Sequence, residues 1–282
     1  MKAFHLIVAV LVSLWVVVLP ASADSPATRK LTFGIAPQQA ATELARLWTP
    51  MLARLSSKTG YVFEFKTAQD IVTFEQRIKA GEYDFAYYNP VVYAMYRENG
   101  YQAVARERDT QLVGIIVVPK DSRYKNLKDL EGATMAFPSP GAFAASVLPQ
   151  MSLKQSRVSV VPMYVSTHES VYLTVARGLY PAGGGIIKTF NQADPAVRDQ
   201  LRILWKSDPY TPHPIAVHPR VPKEVTQRVL AALLSMTDDP EGAALLKNAG
   251  FKGFMAAKDS DYEDIRHLYG KIRKFAEITK TK

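Results

Sequence analysis

Between Leu31 and Glu98 the chain alternates short strand-like runs with stretches of helical period, and few folds accommodate that order. Leu31 to Ala36 reads as a strand closed by Pro37. Leu44, Leu47, Trp48, Met51, Leu52 and Leu55 recur on one helical face over Glu43 to Leu55, and Gly60 follows as a stop. Tyr61 to Lys66 alternates as a strand does, Ile71 to Ala80 predicts a helix ending at Gly81, and Asp84 to Tyr88 is a short buried-type strand. Asn89-Pro90 then turns the chain into a helix over Val91 to Glu98. A β-α-β-α-β order predicts parallel strands with helical crossovers.

Downstream, Leu112 to Val118 is an apolar, β-branched run, and Asn126 to Leu130 a short helical turn. Thr134 to Phe137, Val158 to Val161, Ala182 to Ile187, Leu201 to Trp205 and Ile215 to Val217 read as strands. Ala142 to Met151 and Glu169 to Arg177 read as helices, and the end is helical over Lys223 to Met236, Pro240 to Ala249 and Tyr262 to Phe275. These strands are too many for one doubly wound sheet, and no Gly/Ser/Pro spacer separates two independent domains. The expectation is an α/β chain of two lobes, each a mixed sheet flanked by helices, crossing near Gly114 and near His213. Lobe I takes residues 24–114 and 213–282, lobe II residues 115–212, and a ligand cleft lies between them near strand C-termini and helix N-termini.

The first 23 residues read as a cleavable leader. Lys2 is followed by an apolar run of 14 residues, Leu6 to Leu19, broken only by Ser13. Spanning a bilayer takes roughly 20 residues. Ala21-Ser22-Ala23 supplies the small residues a signal peptidase reads, so export to the periplasm is expected. The sequence has no cysteine. That excludes a lipid anchor on a cleavage-site Cys, disulfides, thiolate metal sites and a Cys nucleophile, and leaves stability to a core that about 260 mature residues can build. The net charge of +9 comes from dispersed Lys and Arg, which is the pattern of a solvated basic surface and not of a nucleic-acid interface.

Enzyme signatures are incomplete. His168-Glu169 begins like a zinc-protease motif, but Tyr172 stands where the second His belongs. Gly183 to Thr189 resembles a phosphate loop, but Ile187 occupies the Gly position directly before Lys188. No G-x-S-x-G elbow occurs, and the histidines show no metal-ligand spacing. The expectation is no catalytic residue, no metal and no cofactor.

The candidates for binding lie where strands enter helices. Tyr87, Tyr88 and Asn89, with Tyr93 close behind, offer phenols and an amide. Phe137 to Ser146 is a loop opening a helix, in which Ser139, Gly141, Ala142 and Phe143 stand near N–H groups suited to an oxyanion. Ser166-Thr167-His168 is a third junction, whose hydroxyls equally suit an N-cap.

Phe33-Gly34-Ile35, Trp48-Thr49-Pro50 and Gly81 to Tyr88 resemble, in this order, the phosphonate/phosphite-binding periplasmic proteins of ABC importers, the PhnD-like group of type II binding proteins. Val118 to Ser122, Asn126 to Leu130, His168-Glu169-Ser170, Ile203 to Ser207 and Leu246 to Phe251 continue the resemblance over nearly the whole mature chain. It implies a two-lobed cleft that closes on a small molecule and delivers it to an ABC permease; a monomer is expected, and a sensory role reporting to a membrane receptor is the alternative. It places Tyr88 and His168 on the ligand. The family's three small hydroxyl residues fall at Ala142, Phe143 and Ala144, its acidic residue for a ligand amine at Pro181, and another Tyr near Ile71. Three lost hydroxyls remove hydrogen bonds worth roughly 1.5–3 kcal/mol each to a charged group. The expected ligand specificity is therefore altered from the family's, with an oxyanion such as a phosphonate or phosphate and a less charged or apolar, lipid-like solute as the two alternatives.

Overall fold

The structure, a computed structural model, describes residues 30–96 and 100–270. The leader, the end of the helix expected to reach Glu98 and the last helix beyond Gly270 lie outside the described residues.

The first sheet forms as the alternation predicts. Strand β1 (Lys30–Ile35) pairs in parallel with β2 (Val62–Lys66) and β3 (Phe85–Tyr87), and helices α1 (Ala41–Thr59) and α2 (Ile71–Lys79) make the crossovers. Gly60 ends α1 in the left-handed conformation, φ 77°, and Asp70 caps α2 by accepting from the Thr73 N–H at 2.7 Å. After α3 (Pro90–Met95), strand β4 (Gln102–Glu107) joins the same sheet.

The chain then crosses into a second sheet of β5 (Gly114–Pro119), β6 (Thr134–Phe137), β7 (Val161–Tyr164), β8 (Ala182–Ile186) and β9 (Leu201–Lys206), in the order β7-β6-β8-β5-β9. Its helices are α4 (Leu148–Gln155), α5 (His168–Ala176), α6 (Ile187–Gln192) and α7 (Pro195–Arg198). The chain returns to the first sheet through β10 (Pro214–Val217), α8 (Lys223–Leu234), α9 (Pro240–Asn248) and β11 (Phe254–Ala256). The first sheet thus reads β11-β4-β10-β3-β1-β2, and residues 263–270 are helical. Each sheet mixes parallel crossover pairs with antiparallel pairs made by the strands at the crossings.

The two crossings, residues 108–113 and 207–213, are clasped together. Leu112 and Tyr210 exchange backbone hydrogen bonds of 2.8 and 3.0 Å. Two residues on from Leu112, the Gly114 N–H donates to Ser207 Oγ at 2.9 Å. On one face of the first sheet, Phe33, Phe85, Trp48 and Phe251 form an aromatic core under α1, α8 and α9. The cluster on its other face continues through Leu112 into Ala142 to Ala145 and Ile186, so apolar packing is unbroken between the sheets.

Several expectations change. Strands β4 and β11 and helices α6 and α7 were not predicted. The strand expected over Val158 to Val161 lies at Val161–Tyr164, an exposed edge where Pro162 needs no N–H partner. The helix expected from Ala142 opens as a π-helical turn, Phe143–Val147, before α4. The Gly-rich run resembling a phosphate loop is strand β8 packed against that turn. A Cβ on Gly184 would lie 2.0 Å from the Ala145 carbonyl oxygen, and one on Gly114 2.2 Å from that of Ala144.

Candidate functional site

A cavity of about 30 Å³ lies between the two sheets. Each part comes from the end of an element: Ala36 and Gln38 follow β1, Ile71 opens α2, Asn89 caps α3, and Ala142 to Ala145 form the π-helical turn. His168 opens α5, Ile186 closes β8, and Leu112 and His213 come from the crossings. The volume holds on the order of two waters. Eight of its twelve lining residues are apolar and none carries a full charge at neutral pH.

The polar groups are held tightly. Gln38 Nε2 lies 2.8 Å from His213 Nε2, and the Gln38 carbonyl accepts from the His168 N–H at 3.1 Å across the seam. The His213 ring stacks on Tyr87, centroids 5.2 Å apart. Burial lowers His168 to about 4. Burial, with Lys188 and His168 nearby, lowers His213 to about 3. Both rings are neutral at pH 7. Behind them Lys188 of α6 pairs with Glu107 of β4 at 2.8 Å, its ammonium 3.3 Å from the Phe251 ring centre. Burial draws Lys188 down to about 8 against the pull of Glu107.

The π-helical turn supplies donors instead of charge. Ala142 O accepts from Ser146 N at 2.7 Å and Val147 N at 3.1 Å, which leaves the N–H groups of Phe143, Ala144 and Ala145 at the helix start without a carbonyl partner among the described residues. Ser139 Oγ and Ser146 Oγ are buried without a partner nearby. Phe143, 2 % exposed, meets Tyr210 edge-on at 5.5 Å.

Residues 33–262 match the family described as ABC transporter, phosphonate, periplasmic substrate-binding protein. The chain belongs to that family. It is 23% identical over 271 residues to the phosphate-import protein PhnD of Mycolicibacterium smegmatis, covering 84% of each chain. A binding protein component of an ABC phosphonate transporter from Pseudomonas aeruginosa superposes with TM-score 0.77 at 20% identity, covering 85% of each chain. PhnD1 of Prochlorococcus marinus, solved with methylphosphonate, gives TM-score 0.78 at 16% identity over 87% of this chain and 98% of its own. This member of the phosphonate-binding family is a non-catalytic substrate-binding component of a transporter, as the incomplete enzyme motifs implied.

Of the residues expected at its site, Asn89, Ala142, Phe143 and His168 line the cavity. Gly141 accepts from Asn89 Nδ2 at 3.1 Å, a second bond across the seam, while Asn89 Oδ1 caps α3. Ser139 is buried in the same loop, and Tyr87 backs His213. Tyr88 and Tyr93 do not line the cavity. Alternation turns Tyr88 to the face opposite Tyr87, where it packs edge-on against Tyr93 and Tyr101. The Tyr93 hydroxyl is committed, donating to Asp259 at 3.0 Å and accepting from the Ala103 N–H at 3.1 Å. Pro181 lies in the loop before β8 and is not a lining residue, whereas Ile71 is one. Gln38 and His213 also line the cavity and were not among the expected residues. A polar residue just after β1 and a His just before β10 were the available signals.

One acid of this phosphonate-family protein stands at the seam without an ion-pair partner among the described residues. Both carboxylate oxygens of Glu75, one turn beyond Ile71 on α2, lie 3.4 Å from where Gly141 would carry a Cβ, and Oε1 is buried without a partner. Burial pushes its carboxyl up to about 7 against the pull of Lys79. A raised folded value means this acid contributes stability fully below 4.5, and loses that contribution as pH rises through about 7. His168 and His213 act oppositely, since the unfolded chain takes up their protons first as pH falls below 6.5. The readout is therefore a difference. Glu75→Gln is expected to be more stable than wild type at about pH 7.5 and to lose that advantage by about pH 5, measured by thermal melts across that range. A constant difference would show that Glu75 is not buried as a carboxylic acid.

Proposed function

We propose that this protein captures a small oxygen-bearing solute of lower charge than a phosphonate dianion, closes its two lobes over it, and hands it to the permease of its transporter. The lobes are residues 24–114 with 213–282, and 115–212. The crossings clasped at Leu112 and Tyr210 support that division. The apolar run Leu6 to Leu19 and the small residues ending at Ala23 support cleavage of the leader and release into the periplasm.

The lining of the cavity carries the reading. Ala142, Phe143 and Ala144 bring no hydroxyl, both histidines are neutral, and Lys188 is already paired. A dianion would lose its hydration here with only backbone N–H groups and neutral donors in return, and desolvating a charge without compensation is costly. Calorimetry with methylphosphonate and its uncharged dimethyl ester tests this. The ester is expected to bind more tightly to wild type. Ala142→Ser with Ala144→Ser is expected to tighten methylphosphonate at least tenfold, because one recovered hydrogen bond to a charged group is worth about 1.5 kcal/mol or more. Wild type that prefers methylphosphonate, or a double variant that does not tighten it, would overturn the reading.

A further inference from the structure

We infer that Tyr172 and Thr189 are positioning residues that fix His168 as a neutral donor, with Nε2–H presented to the cavity, so that the site selects a ligand oxygen that accepts. This rests on the reading that the cavity is the ligand site.

Tyr172 lies one turn beyond His168 on α5 and shares its face, and Thr189 approaches from the first turn of α6. All three are buried, at 2 % exposure for His168, 1 % for Tyr172 and 5 % for Thr189. Each hydroxyl has one proton to place. The Tyr172 hydroxyl accepts from the Ile186 N–H at 3.1 Å, and its own proton meets Thr189 Oγ1 at 2.8 Å or the Ile186 carbonyl at 3.1 Å. The shorter contact directs it to Thr189. The Thr189 proton then has His168 Nδ1 at 3.0 Å and the Ile186 carbonyl at 3.3 Å, and the nearer acceptor is the ring nitrogen. Donation runs from Tyr172 to Thr189 to Nδ1.

A neutral imidazole that accepts at Nδ1 carries its proton on Nε2. Burial keeps the ring neutral, and Nε2 has no protein partner among the described residues while the ring lines the cavity. Both hydroxyls belong to buried side chains, so the proton order persists when the cavity is empty. A ligand offering only a donor at this point, such as an ammonium, meets an N–H and is rejected.

The test is read first without ligand. Two-bond ¹H–¹⁵N correlation spectra of the histidine rings report the tautomer, with His168 assigned by its loss in His168→Gln. Wild type is expected to show the Nε2-protonated form. Thr189→Val, which keeps the shape, is expected to lose that form, and Thr189→Ser to retain it. Affinity for dimethyl methylphosphonate is expected to fall about tenfold in Thr189→Val and to stay within about twofold in Thr189→Ser. An Nδ1-protonated ring in wild type, or a Thr189→Val tautomer identical to wild type, would overturn the inference. Absence of ester binding by a wild type that shows the expected tautomer would count against the ligand reading alone.

Discussion

Lys188→Met is expected to lower the melting temperature by roughly 6–20 °C, because removing one partner of a buried ion pair costs about 3–5 kcal/mol and each kcal/mol moves a chain of this size by about 2–4 °C. The Glu107 side chain is only 4 % exposed and, among the described residues, keeps besides Lys188 one hydrogen bond, from Thr110 Oγ1 at 3.1 Å. Deleting the ammonium strands a carboxylate between β4 of one sheet and α6 of the other. Lys188→Met with Glu107→Leu is expected to recover most of the loss, since an apolar pair has no charge to desolvate. Thermal melts of the two single variants and the double decide the matter. A Lys188→Met melting point within about 2 °C of wild type would show that the pair is solvated and contributes little.

Gly184→Ala is expected to cost about 3 kcal/mol and to weaken ligand capture at least tenfold, although it adds one methyl group. The added Cβ would stand 2.0 Å from the Ala145 carbonyl oxygen, which is main chain and cannot rotate away. Either β8 or the π-helical turn must shift, and that turn brings Ala142 to Ala145 to the cavity. Gly270→Ala is the control, because a Cβ there meets nothing within 4 Å among the described residues. Denaturant melts and calorimetry on both variants separate the cases. A Gly184→Ala protein with normal stability and affinity would mean the turn is free to lift off the sheet.

Much of the fold was legible because its signals are local. The apolar stripe from Leu44 to Leu55 and the stop at Gly60 needed no tertiary information. Strand β4 lacked such a signal: its buried face is Ala103, Ala105 and Glu107, too small or too polar to read as apolar alternation. Helix α6 was hidden because Ile186 and Ile187 continue the strand-like run of β8, and the turn into the helix is set by packing. The site divides the same way. His168 and Asn89 stand at strand-to-helix junctions and could be named. Gln38, Thr189 and His213 come from a post-strand loop, an unpredicted helix and a crossing segment, and only the folded chain brings them together.

The clasp between Leu112 and Tyr210 limits how the two halves of the molecule can move. Two separate tethers would let one half slide, tilt and turn on the other. Tethers bonded to each other at one level behave as a single torsion bar, and relative motion reduces to rotation about one axis. If the two halves open and close around a ligand, as proposed above, that motion is expected to follow this one axis. Phe143 lines the cavity and leans on the Tyr210 ring, so a molecule pressing on that side chain applies torque directly to the bar.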